Sequence, residues 1–191
     1  MLDVRVVLRR VRLGHDDAHV LAHQALAQSF TASRFGAVTH CYFRSSPRAL
    51  VVATLVDGIA LYDIGGIGLE RVLQRVPPRT EAVVKTIEYA HDRHLVAISY
   101  TDHLLQVWKM DSGSMHANVP LEHNITTMAF AEPIEALLAF DDAGLLSVFT
   151  VNTLERLMSV RVDHGITSMV FYETDGLLLT VDDSKRVRML D

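Results

Sequence analysis

The chain has 191 residues, a single cysteine and a formal net charge of −5, with 49% hydrophobic and 21% charged residues. One cysteine excludes an intrachain disulfide and a cysteine-rich metal site, and no run approaches the roughly 18 to 20 apolar residues of a membrane-spanning helix. Acids and bases are interspersed, which argues against a nucleic-acid surface, where Lys and Arg cluster. Residues 4 to 13 carry Arg5, Arg9, Arg10 and Arg12, and Val4, Val6 and Leu8 alternate with Arg5, Val7 and Arg9. An Arg-rich start is compatible with an organelle transit peptide, but period-2 alternation predicts a strand. Gly14 breaks it. Asp16 and Asp17 then open a predicted helix to about Ser29, with Ala18, Leu21, Ala22, Ala25 and Leu26 on one face.

From about Val38 the pattern becomes repetitive. Strands are predicted at 38–43, 50–55 and 59–63, with Asp57-Gly58 as a hairpin signal between the last two. A fourth runs from Leu69 to Val76 and stops at Pro77-Pro78, which cannot continue a ladder. The second unit comprises 84–89, 95–100 and 104–109, with a fourth strand near 115–121. The third comprises 125–130, 136–140 and 145–150, with a fourth near 155–162. The last comprises 166–171, 177–181 and 186–190. The aromatic that closes each first strand falls at Phe43, Tyr89, Phe130 and Phe171, in steps of 46, 41 and 41. The bulky residue near the end of each third strand falls at Tyr62, Trp108, Phe149 and Leu190, in the same steps. Two markers with one spacing define an internal repeat whose units must stack to bury their faces.

These units resemble the repeats of WD40 β-propellers, over residues 38 to 191. The resemblance rests on the first-strand pattern, the acidic hairpin between strands two and three, and the closing pair at Tyr62-Asp63 and Trp108-Lys109. His123 and His164 precede first strands, about where that family places a histidine, though each follows an acid and not glycine. The resemblance implies an all-β fold: a partial propeller of about four four-stranded blades, preceded by a strand and a short helix. It divides the chain into 1–36, a possible clasp for the last blade, and 37–191. The four repeats are at about 37–80, 81–122, 123–163 and 164–191. It implies structural blade positions at Asp57, Tyr62, Asp63, Ser99, Asp102, Trp108, His123, Asp142, Phe149, His164 and Asp183. In that family a His, a Ser or Thr, an Asp and a Trp form one hydrogen-bonded set. Here the second unit offers Ser99, Asp102 and Trp108, and the fourth His164, Thr180 and Asp182 or Asp183.

The chemistry-bearing groups read mostly as structure. His15, His19 and His23 share one helical side but lack a fourth ligand for zinc. Asp141-Asp142 and Asp182-Asp183 fall in hairpins, where Asp favours the turn. Gly65-Gly66-Ile67-Gly68 lacks the Lys-Ser/Thr of a phosphate loop. The expected function is a non-catalytic, intracellular and cytoplasmic protein-interaction scaffold without a cofactor. Its expected partners are other proteins, further blades or a second copy. Binding is expected at the loops Glu122, His123, Asn124 and Asp163, His164, Gly165. The alternatives are a metal-dependent propeller hydrolase and an RNA- or ribosome-associated propeller.

Overall fold

A computed structural model describes residues 41–44, 50–54, 58–63, 68–79, 81–90 and 92–190. The expected strand at 4–13, the helix to Ser29, the histidines at 15, 19 and 23 and Asp57 lie outside these residues. The described chain is all-β, without an α-helix. Sheet one comprises β1 (Cys41–Arg44), β2 (Leu50–Thr54), β3 (Gly58–Asp63) and β4 (Gly68–Gln74). Sheet two comprises β5 (Val84–Ala90), β6 (Leu95–Tyr100), β7 (Leu104–Lys109) and β8 (Met115–Pro120). Sheet three comprises β9 (Ile125–Ala131), β10 (Ala136–Asp141), β11 (Leu145–Thr150) and β12 (Arg156–Arg161), with a 3-10 turn at Glu132–Ile134. Sheet four has three strands, β13 (Ile166–Tyr172), β14 (Leu177–Asp182) and β15 (Val187–Leu190). Each sheet is an antiparallel meander.

The pairing register carries the repeat into three dimensions. In every sheet the two sequence markers lie in one cross-strand row, joined through the second strand: Phe43–Val51–Tyr62, Tyr89–Val96–Trp108, Phe130–Leu137–Phe149 and Phe171–Leu178–Leu190. Bulges recur at matching places too. The ladder between first and second strands skips Lys85, Thr126 and Thr167, each 41 residues after the last. Thr126 and Thr167 use the freed geometry alike, donating Oγ1 to Phe140 O (2.9 Å) and Val181 O (3.0 Å).

The sheets stack through their faces. Directly paired residues project to the same side, so each sheet has two alternating faces. Sheet two turns Ile87, Tyr89, Ile98 and Trp108 towards Ile59, Leu61 and Leu73 of sheet one. It turns Ala97, Leu105 and Val107 into a second core with sheet three, and that core continues to Ile166, Met169 and Leu178 of sheet four. Strands buried on both faces explain the apolar composition.

In sheets two, three and four the same end of the first strand pair is fastened by a repeated backbone bond. Thr101, Asp142 and Asp183 donate N–H to Val83 O (2.9 Å), Asn124 O (3.0 Å) and Gly165 O (3.1 Å). Two residues further on, His103, Gly144 and Lys185 all have positive φ (62°, 82° and 61°). Glycine fits that conformation without strain, and the His and Lys accept it to close the same turn.

Candidate interaction surface

Within the two acidic pairs, the carboxylates that hydrogen-bond in the turns are those of Asp141 and Asp182. Asp141 Oδ1 accepts from Ala143 N (3.0 Å) and Leu145 N (2.9 Å). Asp182 Oδ1 accepts from Arg186 N (2.8 Å), and Oδ2 from Arg188 Nε (3.2 Å). The Arg186 backbone N–H, then the Arg188 guanidinium and the charges of both arginines, hold the Asp182 carboxyl below the usual carboxylate range against its desolvation. Asp142 and Asp183 are exposed and contribute their backbone N–H groups. The physical reason is strand parity: the last residue of the second strand aims its carboxylate into the turn, and the next residue faces solvent. Asp141→Ala is expected to cost about 1–3 kcal/mol, since it strands two N–H donors in a part-buried turn. A chemical denaturation midpoint unchanged from the parent would refute the assignment.

Ser99, Asp102 and Trp108, the part of the set that the second unit offers without a histidine, form no hydrogen bond with one another. Ser99 pairs with Leu105 and shares the face of Ala97, whereas Trp108 pairs with Val96 on the opposite face. Ser99 Oγ and Trp108 Nε1 are both buried without a hydrogen-bond partner among the described residues. In the fourth unit His164 Nε2 and Thr180 Oγ1 are likewise buried and unpartnered there.

Asp102 serves another partner. Its carboxylate receives Arg75 Nη2 at 2.5 Å and Arg75 Nε at 3.3 Å, with Arg79 at 3.6 Å. Arg75 is 4% exposed, donates to Pro77 O, and lies 5.7 Å from the Tyr100 ring centroid. Beside it the fully buried Gln106 brackets Val76, donating to its carbonyl (2.6 Å) and accepting from its N–H (3.3 Å). This polar clamp joins the strand exit of sheet one to sheet two. Gln106 stands out in sequence as one amide inside an apolar run. Arg75 has no such signal.

The expected binding loops lie at the fastened end. Glu122, Asp163 and Gly165 are exposed, while His123, Asn124 and His164 are half-buried. His123 lines a cavity of ≈ 20 Å³ with Glu122, Asp141, Ser147, Phe149 and Arg156. That volume holds about one water, not a substrate. Phe149 is a core residue, and Tyr62 and Asp63 close β3. No group of three or more His, Cys, Asp or Glu among the described residues is arranged to hold a metal. No helix among them is long and apolar enough to cross a membrane.

An exposed apolar area lies elsewhere, on the side of sheet four away from sheet three. The row Val170–Leu179–Met189 lies there, with Tyr172 and Val187 on the same face. Its repeat equivalent in sheet three, Ala129–Leu138–Val148, is covered, with Ala129 and Leu138 buried in the shared core.

No family model matches the chain, and no curated protein is similar to it. Among solved structures it is similar to the computationally designed Ika4 protein, with a TM-score of 0.64 and 18% identity over 81% of this chain and 90% of that one. It is also similar to the computationally designed Ika8 protein, with a TM-score of 0.63 and 18% identity over 80% of this chain and 45% of that one. The chain thus spans nearly all of the first and less than half of the second. At this identity the likeness concerns the fold alone.

Proposed function

We propose that the chain is a non-catalytic protein-interaction platform, built as about four WD40-like blades of a β-propeller, whose open end is sheet four. The observation that carries this reading is the uncovered row Val170–Leu179–Met189, in register with a row that is covered in the preceding sheet. Contiguous apolar faces of this kind mark contact surfaces. The match to just under half of a longer designed chain supports it, since that chain has room for a second such unit. Partners are other proteins, further blades or a second copy, engaged through this face and through the 122–124 and 163–165 loops.

The test is the mass of the assembly that the full chain forms, by size exclusion with light scattering. Val170→Asp combined with Met189→Asp changes exposed side chains only, so the far-ultraviolet spectrum should be kept. The expected outcome is collapse of the assembly to the mass of one chain. Separate alanine substitutions at Glu122, His123 and Asn124 measure the loop contribution. A parent chain that stays at 21.3 kDa with every co-expressed protein would overturn the proposal.

A further inference from the structure

Two strands at the margin of the stack expose apolar side chains that their repeat equivalents do not. In β8, Ala117 and Val119 pair with Val107 and Leu105 and pack against the core shared by sheets two and three. The residues 41 further on are Met158 and Val160 of β12, paired with Val148 and Leu146. They are 56% and 48% exposed. The difference has a structural cause: sheet four has no fourth strand among the described residues, so nothing in it reaches the inner face of β12. The outer edge of β15 consequently has no described strand beside it, and Val187 on that edge strand is 70% exposed. A free strand edge offers unpaired N–H and C=O groups at strand spacing. Here it lies beside an apolar ledge, which is the shape of a site for an added strand.

The charges within the two strand segments that bound this slot have one sign. The segments 156–161 and 185–190 contain Arg156, Arg161, Lys185, Arg186 and Arg188, and no carboxylate. Buried Asp182 offsets part of this through Arg186 and Arg188, and Arg161 also donates to Ala143 O (3.2 Å). Exposed Glu155, Asp163 and Asp183 flank the segments. A second copy inserting its own β15 would bring Lys185, Arg186 and Arg188 against the same cations, a like-charge clash. The chain's own alternating segment at 4–13 carries four arginines and has the same sign.

We propose that the slot bounded by the β15 edge and by Met158 and Val160 of β12 is a β-augmentation site for an extended segment of a partner protein, alternating apolar and acidic residues. Apolar positions of the guest cover Met158 and Val160 on one side, main-chain bonds extend sheet four to four strands, and carboxylates meet the arginines. Alternation suits the site because successive side chains of a strand face opposite ways. This rests on the interaction-platform reading and names the chemistry of one partner.

The experiment measures fluorescence anisotropy of labelled ten-residue probes on the full chain, at low and at physiological salt. The probes are an alternating Val/Glu peptide, an alternating Val/Lys peptide, a peptide of sequence 4–13, and a single-stranded RNA oligomer. The Val/Glu peptide is expected to bind at least about tenfold more tightly than the Val/Lys peptide, and to weaken as salt rises. Met158→Glu, and separately Arg161→Glu, should each weaken it by about tenfold or more. Both residues are exposed, so a retained far-ultraviolet spectrum separates lost binding from lost folding. Equal binding of the two alternating peptides, Val/Glu binding unaffected by Met158→Glu, or no binding by any probe overturns the proposal. Tighter binding of the 4–13 peptide or of RNA also overturns it, as does a doubling of mass that Met158→Glu abolishes. If the peptide fails to bind while Val170→Asp with Met189→Asp still releases an assembly, this inference falls and the platform reading stands.

Discussion

Asp102→Ala is expected to lower the unfolding free energy by about 3–5 kcal/mol, read as a fall in the urea midpoint with unchanged slope. The size follows from what the substitution leaves behind. Arg75 is 4% exposed, and its guanidinium meets the Asp102 carboxylate through two nitrogens, at 2.5 and 3.3 Å. Without the carboxylate, a buried cation keeps, among the described residues, the Pro77 carbonyl and the face of Tyr100. Those contacts do not replace a counter-charge in a medium of low dielectric constant. The loss should therefore exceed that of an exposed ion pair, usually under about 1 kcal/mol. Replacing both partners, as Arg75→Met with Asp102→Leu, should recover much of the deficit, because no charge is then left unpaired. A single variant within about 0.5 kcal/mol of the parent would show that Arg75 finds water or Arg79 moves aside. The consequence is architectural: the Arg75–Asp102 pair and the Gln106–Val76 bonds span two sheets, so their loss should loosen sheet one from sheet two before either sheet melts.

The repeat was legible because it is written in large apolar residues at constant spacing. Phe43, Tyr89, Phe130 and Phe171 kept step with Tyr62, Trp108, Phe149 and Leu190, and the structure joins each pair through one cross-strand row. Polar positions were harder to read because strand parity turns a one-place difference into the opposite face. Ser99 and Trp108 look neighbourly in sequence and face different sheets. Asp141 and Asp142 look interchangeable, and one closes the turn while the other meets solvent. The bulge between Val107 and Trp108 resets the count inside a single strand pair and has no local residue signal. Among the described residues no strand pairs with the outer edge of β15. Its meaning came only from the comparison of Met158 and Val160 with Ala117 and Val119, which needs burial as well as register.

Glu88 should make stability fall as pH rises, a trend opposite to that of most carboxylates in folded proteins. It pairs with Ala97 and lies in the row that continues to Val107, on the face that sheet two turns into the apolar core shared with sheet three. Desolvation there pushes its carboxyl from the usual 4.5 up to about 7, against a smaller opposing pull from the Tyr89 backbone hydrogen bond. The folded state therefore holds the proton where the unfolded chain has released it. Its contribution is fully present below about pH 4.5, declines as the unfolded chain ionises, and is lost by about pH 7, where the folded carboxyl also ionises. At about 1.4 kcal/mol per pH unit, the decline amounts to roughly 3 kcal/mol. Glu88→Gln keeps the shape and removes the titration. It should leave stability near pH 4.5 little changed and raise it by about 2–3 kcal/mol at pH 8, flattening the profile between them. Denaturation midpoints of parent and variant at the two pH values decide the matter: parallel profiles would mean that water reaches the carboxylate and that the row is looser than its neighbours. The equivalents of Glu88 in the next two sheets are Ala129, which is buried, and Val170, which is exposed, so of these three sheets sheet two alone places a carboxyl at this position. A carboxyl at this position in sheet two is therefore expected to make stability depend on pH between about 4.5 and 7.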